Sequence, residues 1–504
     1  MSSVMEYQHF INGQWTPGES GETMDVINPA TQEVVAQVPK GTVNDVNKAV
    51  ANAREAFESG VWANKSMEER AEILLKFSTN VLKNKNRLAY LESLTSGSTI
   101  RRTMGIDVTA VSDALKNAVQ RSQEIPLLEH AMCLPWHIPQ HSYIVREPLG
   151  VCAGIVPWNF PMILAAWKFA PALMMGNSIV MKPASITPIT LLELANLAHE
   201  SGIPAGVFNV VTGSGSVVGN ALASHPEIDK VAFTGSTEVG RQVAHMAADG
   251  IKRVTLELGG KSPTIVLDDA DLDMATSLCI HAFLYHTGQV CESGTRMLVP
   301  RKMQDQIVEM MIEKIKKLPI GNQLNPATSI GPIASAEQLE TVMKYVDIGK
   351  KEGAQIAYGG NRMTDGAYGQ GFFFEPTVFV GCNNQMTHVR EEIFGPVQCV
   401  LPYDDVEEAI AIANDSPYGL GASIASMNAT RAQWVAKKIR SGTVWINTHH
   451  MLRADAPFGG YKQSGYGREN GAHVLMEYSQ VKHVCHNLVP DASKYRYFKV
   501  LGLN

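Results

Sequence analysis

The spacing of apolar residues changes along this chain, and the changes divide it. Behind Thr42 and Asp45 stand Val46, Ala49, Val50, Ala53 and Phe57; behind Ser66 and Glu69 stand Ile73, Leu74, Phe77, Val81 and Leu82. In both cases a hydroxyl residue precedes a carboxylate by three positions, the arrangement of a capping box. The helical recurrence behind each box predicts two helices with charged outer faces. From residue 178 short apolar runs alternate with helical stretches. SIVMKP (178–183), GVFNVVTG (206–213), KVAFTG (230–235) and RVTLELGG (253–260) read as strands. Thr187 before Pro188 reads as a cap with proline at the first position of a helix ending near Gly202. Strands alternating with helices predict a parallel, helix-covered sheet whose ligands bind beyond the carboxyl ends of the strands. Pro183, Gly213, Gly235 and Gly259 fall at those ends, so their loops should line one crevice.

A second α/β stretch comes next, with helices near 271–287 and 303–317 and strands near 264–267, 397–403 and 442–447. Residues 138–148 and 477–488 are strand-like but leave the alternating pattern. The glycines of GSGSVVG (213–219) are spaced G-x-G-x-x-x-G, one residue too long for the dinucleotide fingerprint, and carry little by themselves.

Composition narrows the class. With 504 residues, 45% hydrophobic and 18% charged, the chain can bury a large core in about three domains or one two-lobed body. A dispersed net charge of −6 shows no nucleic-acid or membrane-surface signature. The N-terminus lacks the basic and apolar regions of a signal peptide. The most apolar stretch, Val151 to Met181, is interrupted by Pro157, Asn159, Pro161, Lys168 and Pro171, so no membrane span is expected. Seven cysteines, an odd number without a CxxC or zinc-like spacing, indicate neither a disulfide framework nor a metal site. A cytoplasmic location with reduced thiols fits. Cys133, Cys152, Cys279, Cys382, Cys399 and Cys485 read as ordinary thiols.

Three segments carry candidate chemistry: Cys291 in GQVCESGTR (288–296), Glu257 in LELGGKSP (256–263) and Asn159 in PWNFP (157–161). A thiol, a carboxylate and an amide donor are the parts of acyl chemistry with a stabilised oxyanion. Each also has a plainer reading. A lone cysteine is more often a small buried hydrophobe, and a lone glutamate a structural ion-pair partner.

Together with FTGSTEVG (233–240), EEIFGPV (391–397) and PFGGYKQSGYGRE (457–469), these segments resemble the aldehyde dehydrogenase superfamily in order and spacing, including the 34 positions from Glu257 to Cys291. The resemblance runs from FINGQW (10–15) to the segment after Tyr478. It implies an α/β fold with three parts. A Rossmann-type cofactor domain would span 1–129 and 149–259, and a catalytic domain 260–476. An oligomerisation arm and C-terminal segment, 130–148 and 477–504, would make a homodimer or homotetramer.

The implied reaction is oxidation of an aldehyde to a carboxylic acid with NAD. Cys291 would be the nucleophile, and Asn159 with the Cys291 N–H would hold the oxyanion. Glu257 would be the general base, and Lys168 and Glu469 either a proton path or a simple ion pair. Trp158, Lys182, Ser185, Gly213, Gly235, Ser236, Gly259, Glu392 and Phe394 would bind cofactor. Phe160, Trp167, Tyr285, Leu452 and Phe458 would line the substrate tunnel.

Two positions depart from the family. Glu292 stands directly after the nucleophile where small residues are commoner, and would raise the thiol pKa if it pointed inward. Ser185 replaces the glutamate usual in NAD-specific members and supplies a hydroxyl donor, so NADP tolerance is expected. Leu452 replaces an aromatic of the betaine aldehyde cation cage, which disfavours a quaternary ammonium substrate. His449, His450, Arg453 and Asp455 add polar groups near the mouth, and Arg453 suits either an ω-carboxylate (a semialdehyde substrate) or a surface ion pair. A CoA-acylating enzyme is disfavoured by Glu257. A non-catalytic, crystallin-like protein is disfavoured by Cys291, Glu257, Asn159 and Lys182 together.

Overall fold

The structure is a computed structural model that describes residues 4–130 and 140–488, with 491, 498 and 500–502. Both early helices form. Thr42 Oγ1 accepts the Asp45 N–H while Asp45 accepts the Thr42 N–H, opening Val43–Glu58, and Ser66 and Glu69 do the same for Met67–Lys83. Their inner faces bury Val46, Ala49, Val50 and Ala53 on one, and Leu74, Phe77 and Val81 on the other, with Leu82 turned outward.

Five parallel strands form the centre of an eight-stranded sheet: Arg253–Glu257, Lys230–Thr234, Val151–Ile155, Ser178–Lys182 and Phe208–Val210, in that spatial order. The chain runs from 151–155 outward to 208–210, then returns to place 230–234 on the other side of 151–155. That reversal opens a crevice at the carboxyl ends of these two strands. One edge is the hairpin His9–Ile11 and Gln14–Thr16, turned by Asn12 and Gly13 at φ 56° and 72°. These positive values favour Asn-Gly. The other edge is Gly465–Tyr466, antiparallel to Leu256 and Glu257.

The cap expected at Thr187 does not form. The helix begins at Ile189, and Thr187 instead closes a turn by donating its N–H to Ala184 O, leaving its hydroxyl buried without a partner. The segment 215–219, whose glycines narrowly miss the dinucleotide fingerprint, is a wide helical turn capped by Ser214.

A second, seven-stranded sheet runs Gln355–Tyr358, Thr377–Val380, Val397–Tyr403, Arg296–Pro300, Pro263–Val266, Gly421–Ala425 and Thr443–Ile446, parallel except at the first strand. Pro161–Met174, which packs on the first sheet, is a helix buried along its entire length. A third sheet pairs Gln140–Pro148 with Leu128–His130 on one side and Ser479–Asn487 on the other. Among the described residues no helix is long and apolar enough to cross a membrane. Cys133 and residues 138–139 lie outside the described residues.

Candidate active site

Cys291 comes after a backbone run that few side chains tolerate. His286, Thr287 and Gly288 have φ of 50°, 57° and 73°, and a left-handed non-glycine residue costs on the order of 1–3 kcal/mol. Thr287 Oγ1 donates to Gly331 O at 3.0 Å, which helps to hold the turn. Gly288 has no substitute, since a Cβ there would lie 2.1 Å from Gly395 O. The helix expected near 271–287 therefore stops at Leu284. Gln289, fully buried, anchors the chain as it leaves this turn. Its amide donates to His286 O and accepts the Ala334 N–H, and its carbonyl accepts Asn159 Nδ2 at 2.9 Å. Nothing in its chemistry singles Gln289 out in the sequence; its role exists only through these tertiary bonds.

The expected catalytic and cofactor residues fall into three groups. Trp158, Asn159, Gly235, Ser236, Gly259, Glu392 and Phe394 share with Cys291 the lining of a cavity of about 250 Å³. Gly259 is needed there, because a Cβ would sit 2.2 Å from Glu392 Oε2. Phe394 is held at φ 59° while Gln338 Nε2 donates to the carbonyls of Ile393 and Phe394, and its ring meets Trp158 edge-on at 5.2 Å.

Lys168, Glu469 and Glu257 form a buried polar cluster at the end of the strand Arg253–Glu257. Lys168 Nζ donates to Glu469 Oε1 at 2.8 Å and to Thr234 Oγ1 at 2.7 Å. Lys182, Ser185 and Gly213 lie together at the ends of neighbouring strands. Ser185 Oγ donates to Gly213 O at 3.0 Å and Lys182 Nζ to Pro183 O at 2.7 Å. The Ser185 proton is thus engaged within the protein, which corrects the expectation that this hydroxyl is a free donor.

Burial dominates the electrostatics. Neither carboxylate oxygen of Glu257 has a hydrogen-bond partner, and burial followed by the Glu469 charge raises its pKa well above the ordinary range. Burial pushes Glu392 up to about 7 although its Oε1 accepts the Gly260 N–H. Burial brings Lys182 down to about 8. The Cys291 thiol is raised well above its ordinary value by burial and then by Glu292. Glu292 does point inward, accepting the thiol S–H at 3.1 Å.

On its other side Cys291 opens into a cavity of about 570 Å³. All five expected tunnel residues, Phe160, Trp167, Tyr285, Leu452 and Phe458, line it, with Ile163 and Leu164. Phe160 faces Tyr285 at 6.2 Å, and Trp167 faces Phe458 at 5.6 Å. Arg453 and Asp455 are at the mouth, where Arg453 pairs with Asp455 through two hydrogen bonds.

Several contacts have no local sequence signal because folding alone brings the partners together. Arg102, paired with the buried Asp107, lies 4.1 Å over the Phe160 ring. His450 meets Glu292, and His449 Nε2 donates to Glu292 O. Elsewhere Cys382, His388 and Cys399, which show no metal-like spacing, converge so that their donor atoms lie within 4.8 Å of one another. His388 Nδ1 faces Glu352 at 3.4 Å on the outer side of that cluster.

A sheet that reverses direction at its crevice, joined to a second α/β lobe that presents a thiol to two cavities, defines a two-lobed dinucleotide-type enzyme. Residues 15–484 match the model of the Aldehyde dehydrogenase family, and this chain belongs to it. It is an NAD-dependent oxidoreductase acting on aldehydes. A betaine aldehyde dehydrogenase of Bacillus subtilis is 43% identical over 484 residues, 96% of this chain and 98% of that one. A betaine aldehyde dehydrogenase of Staphylococcus aureus, solved with NAD+, superposes with a TM-score of 0.94 at 39% identity, covering 97% and 96% of the two chains. An indole-3-acetaldehyde dehydrogenase of P. syringae, solved with NAD+ and IAA, gives 0.93 at 40% identity, covering 97% and 98%.

Proposed function

We propose that this protein oxidises neutral, apolar or aromatic aldehydes to carboxylic acids through a covalent thioester on Cys291. One observation carries the reading: Cys291 lines both the aromatic cavity and the smaller cavity that Gly235, Ser236 and Glu392 share. An aldehyde entering by the first meets the thiol with the second on its far side.

The residues around the smaller cavity fit a nicotinamide dinucleotide. Ser236 is exposed at the N-terminus of the helix Thr237–Ala248, as an anion site requires. Glu392 would hold the nicotinamide ribose, Phe394 and Trp158 would flank the ring, and Lys182 would bind the adenosine ribose. Gly213 and Gly259 keep the loops open to it. When bound, the dinucleotide accepts the hydride that converts the thiohemiacetal on Cys291 into a thioester.

The chain's own residues do the rest. The second hydrogen of the Asn159 amide, whose first is donated to Gln289 O, would hold the oxyanion together with the Cys291 N–H. Each such donor typically contributes about 3 kcal/mol. Glu257, free of hydrogen bonds, takes the proton from the water that cleaves the thioester. Lys168 and Glu469 carry that proton away from it.

Charge decides the substrate class. The Arg102 guanidinium occupies one face of Phe160, and Leu452 contributes no ring, so a quaternary ammonium finds an incomplete cage. Arg453 is already paired with Asp455, so it offers an ω-carboxylate little counter-charge. Betaine aldehyde is the second reading, favoured by the names of the relatives and by Asp113 and Asp455 in the cavity lining. NAD is the leading cofactor, with NADP tolerated because Ser185 is neutral. The cofactor domain comprises 1–129 and 149–259, the catalytic domain 260–476, and the arm 130–148 with 477–504 joins subunits of a cytoplasmic oligomer.

An aldehyde panel with NAD and NADP, monitored by nicotinamide absorbance, tests this. Arylacetaldehydes should exceed betaine aldehyde in kcat/KM, and Cys291→Ala should abolish turnover with every aldehyde. A preference for betaine aldehyde would overturn the substrate assignment.

A further inference from the structure

The segment 383–398 carries Glu392 and Phe394 into the smaller cavity, and side chains that the reaction does not use meet at its two ends. Cys382 precedes the segment in a turn with Gly381 at φ 67°, His388 lies on the short helix Thr387–Arg390, and Cys399 on the strand Val397–Tyr403. All three are buried. Their two sulfurs and one imidazole nitrogen lie within 4.8 Å of one another. The spacing C-x5-H-x10-C matches no zinc signature, so the fold alone assembles the group.

Its geometry is close to that of a ligand set. Zinc-to-sulfur bonds of about 2.3 Å and zinc-to-nitrogen bonds of about 2.0 Å in a tetrahedron place the donors about 3.5–3.8 Å apart. Cys382 Sγ and His388 Nε2 already stand at 3.6 Å. The imidazole is also oriented. His388 Nδ1 faces Glu352 Oε2 at 3.4 Å; a carboxylate oxygen accepts, so hydrogen belongs on Nδ1 and Nε2 is turned to the sulfurs. A carboxylate behind a histidine in this way is the usual outer support of a metal ligand. Glu352 is itself fixed, accepting the Thr387 N–H at 2.8 Å and the Thr387 hydroxyl. Phe379 packs on the ring at 4.9 Å, and Gly349 leaves room for it, since a Cβ there would lie 3.1 Å from His388 Cδ2.

Two cations face the group. Lys261 Nζ is buried without a hydrogen-bond partner, and its charge acts on Cys399 and Cys382. Arg296 is engaged with Asn384 Oδ1 and the carbonyls of Lys261, Ile412 and Ala413. A dication bound to two thiolates is neutral as a unit, so neither cation repels it.

We propose that Cys382, His388 and Cys399 bind a thiophilic divalent cation of the zinc type, which clasps the two ends of the segment that carries Glu392 and Phe394. Two S–H bonds break, each electron pair stays on sulfur and is shared with the metal, and two protons leave to solvent. His388 gives the lone pair of Nε2. No oxidant or reductant is consumed. Among the described residues no further His, Cys, Asp or Glu joins the group, so water completes the tetrahedron. Two sulfurs and an imidazole select a soft ion over magnesium or calcium.

The test uses the full-length protein, reduced, stripped with a chelator and titrated with Zn2+ alone. Native mass spectrometry should find one zinc per chain, and competition with a chromophoric chelator should give a dissociation constant below about 1 μM. Cys382→Ala and Cys399→Ala should each weaken binding by about a hundredfold or more, and Glu352→Gln by about ten- to a hundredfold. Cys291→Ala and Cys485→Ala should leave it unchanged. Cobalt(II) in place of zinc should give thiolate-to-metal charge-transfer absorption that each of the two ligand-cysteine variants lowers. Zinc should slow hydrogen exchange across 383–398 in the wild type and not in Cys382→Ala. The absence of stoichiometric zinc, binding that survives both ligand-cysteine variants, or binding lost in Cys291→Ala would overturn the site. Exchange across 383–398 that ignores zinc would overturn the clasp. Should the cysteine variants not fold, Glu352→Gln decides, because that side chain is 30% exposed: an unchanged affinity there refutes the site.

Discussion

Lys168 and Glu469, 301 residues apart, form a 2.8 Å ion pair with side chains 0% and 3% exposed. Lys168 comes from the fully buried helix Pro161–Met174, and Glu469 from the loop that hydrogen-bonds to Phe458. Two charges taken this far from water persist only if paired and further hydrogen-bonded; Thr234 Oγ1 supplies the additional contact.

Burial is the main cause of the raised proton affinity of Glu257, and the pair modulates it. Glu469 raises that pKa and Lys168 opposes it. Glu469→Gln should therefore move the pH at which thioester hydrolysis reaches half its plateau downward. Lys168→Met should move it upward and also cost roughly 3–5 kcal/mol of stability, since it leaves a buried carboxylate unpaired. Single-turnover hydrolysis measured against pH, with denaturant melts alongside, checks both signs. Shifts in the same direction would mean that the pair does not act on Glu257 by charge.

Glu257→Gln should block deacylation more than acylation. The unpaired oxygens of Glu257 have no structural bond to lose, so the fold should tolerate the change. After one turnover, mass spectrometry should find acyl adduct on Cys291, with the nicotinamide burst preserved. Thioester hydrolysis at the wild-type rate would assign the base elsewhere.

Asn159→Ala should lower kcat by about a hundred- to a thousandfold, the typical loss for one oxyanion donor. It also removes the bond to Gln289 O, so some loss of order around the Cys291 turn is expected in the melting temperature. A kcat loss with unchanged KM would place the contact in the transition state.

Legibility in the sequence depends on the range of the interactions. Capping boxes at Thr42 and Ser66 are legible because both partners lie within four residues. The strand–helix alternation from 178 to 260 is legible because each element is periodic over its own length. The strands Arg296–Pro300 and Gly421–Ala425 escape sequence reasoning: both are short, uniformly buried runs without alternation. Cys291, Glu257 and Asn159 emerge through motif order, not physics alone. Glu292 stands out only as a departure from the family. Its partner His450 stands 158 positions away, and Arg102 reaches Phe160 across 58, so neither contact has a local signature. Thr187 misleads for the opposite reason: a favourable local pattern loses to the turn that uses its N–H.

The sheet of Leu128–His130, Gln140–Pro148 and Ser479–Asn487 has few buried residues, with Val481 59% exposed. Three strands with so little apolar cover are marginal alone, and the long outer edge of Ser479–Asn487 invites pairing. The chain should run as a dimer or tetramer by light scattering. Truncation after Tyr478 should give smaller species with a lower melting temperature. A stable native monomer of 54.9 kDa would refute this.

Ser185→Glu should select against NADP. The native hydroxyl is bound to Gly213 O, so Ser185 contributes neutrality rather than a free donor near Lys182. Lys182 is the nearby cation, brought down to about 8 by burial; a 2′-phosphate beside it would favour its charged form. No arginine lies in KPASITP (182–188) to clamp a phosphate bidentately, so tolerance of NADP rather than dependence on it is expected. A glutamate at 185 would add repulsion against the phosphate and could accept the ribose hydroxyls of NAD. It would also release Gly213 O from its bond, loosening that loop for either cofactor. The measurable quantity is the ratio of kcat/KM for NADP to that for NAD, which should fall by about ten- to a hundredfold in Ser185→Glu. Ser185→Ala separates the two effects: it frees Gly213 O without adding charge, so it should lower both values while leaving the ratio near that of the wild type. Equal losses with both cofactors in Ser185→Glu, or a wild type blind to NADP, would mean that residues beyond this loop choose the cofactor.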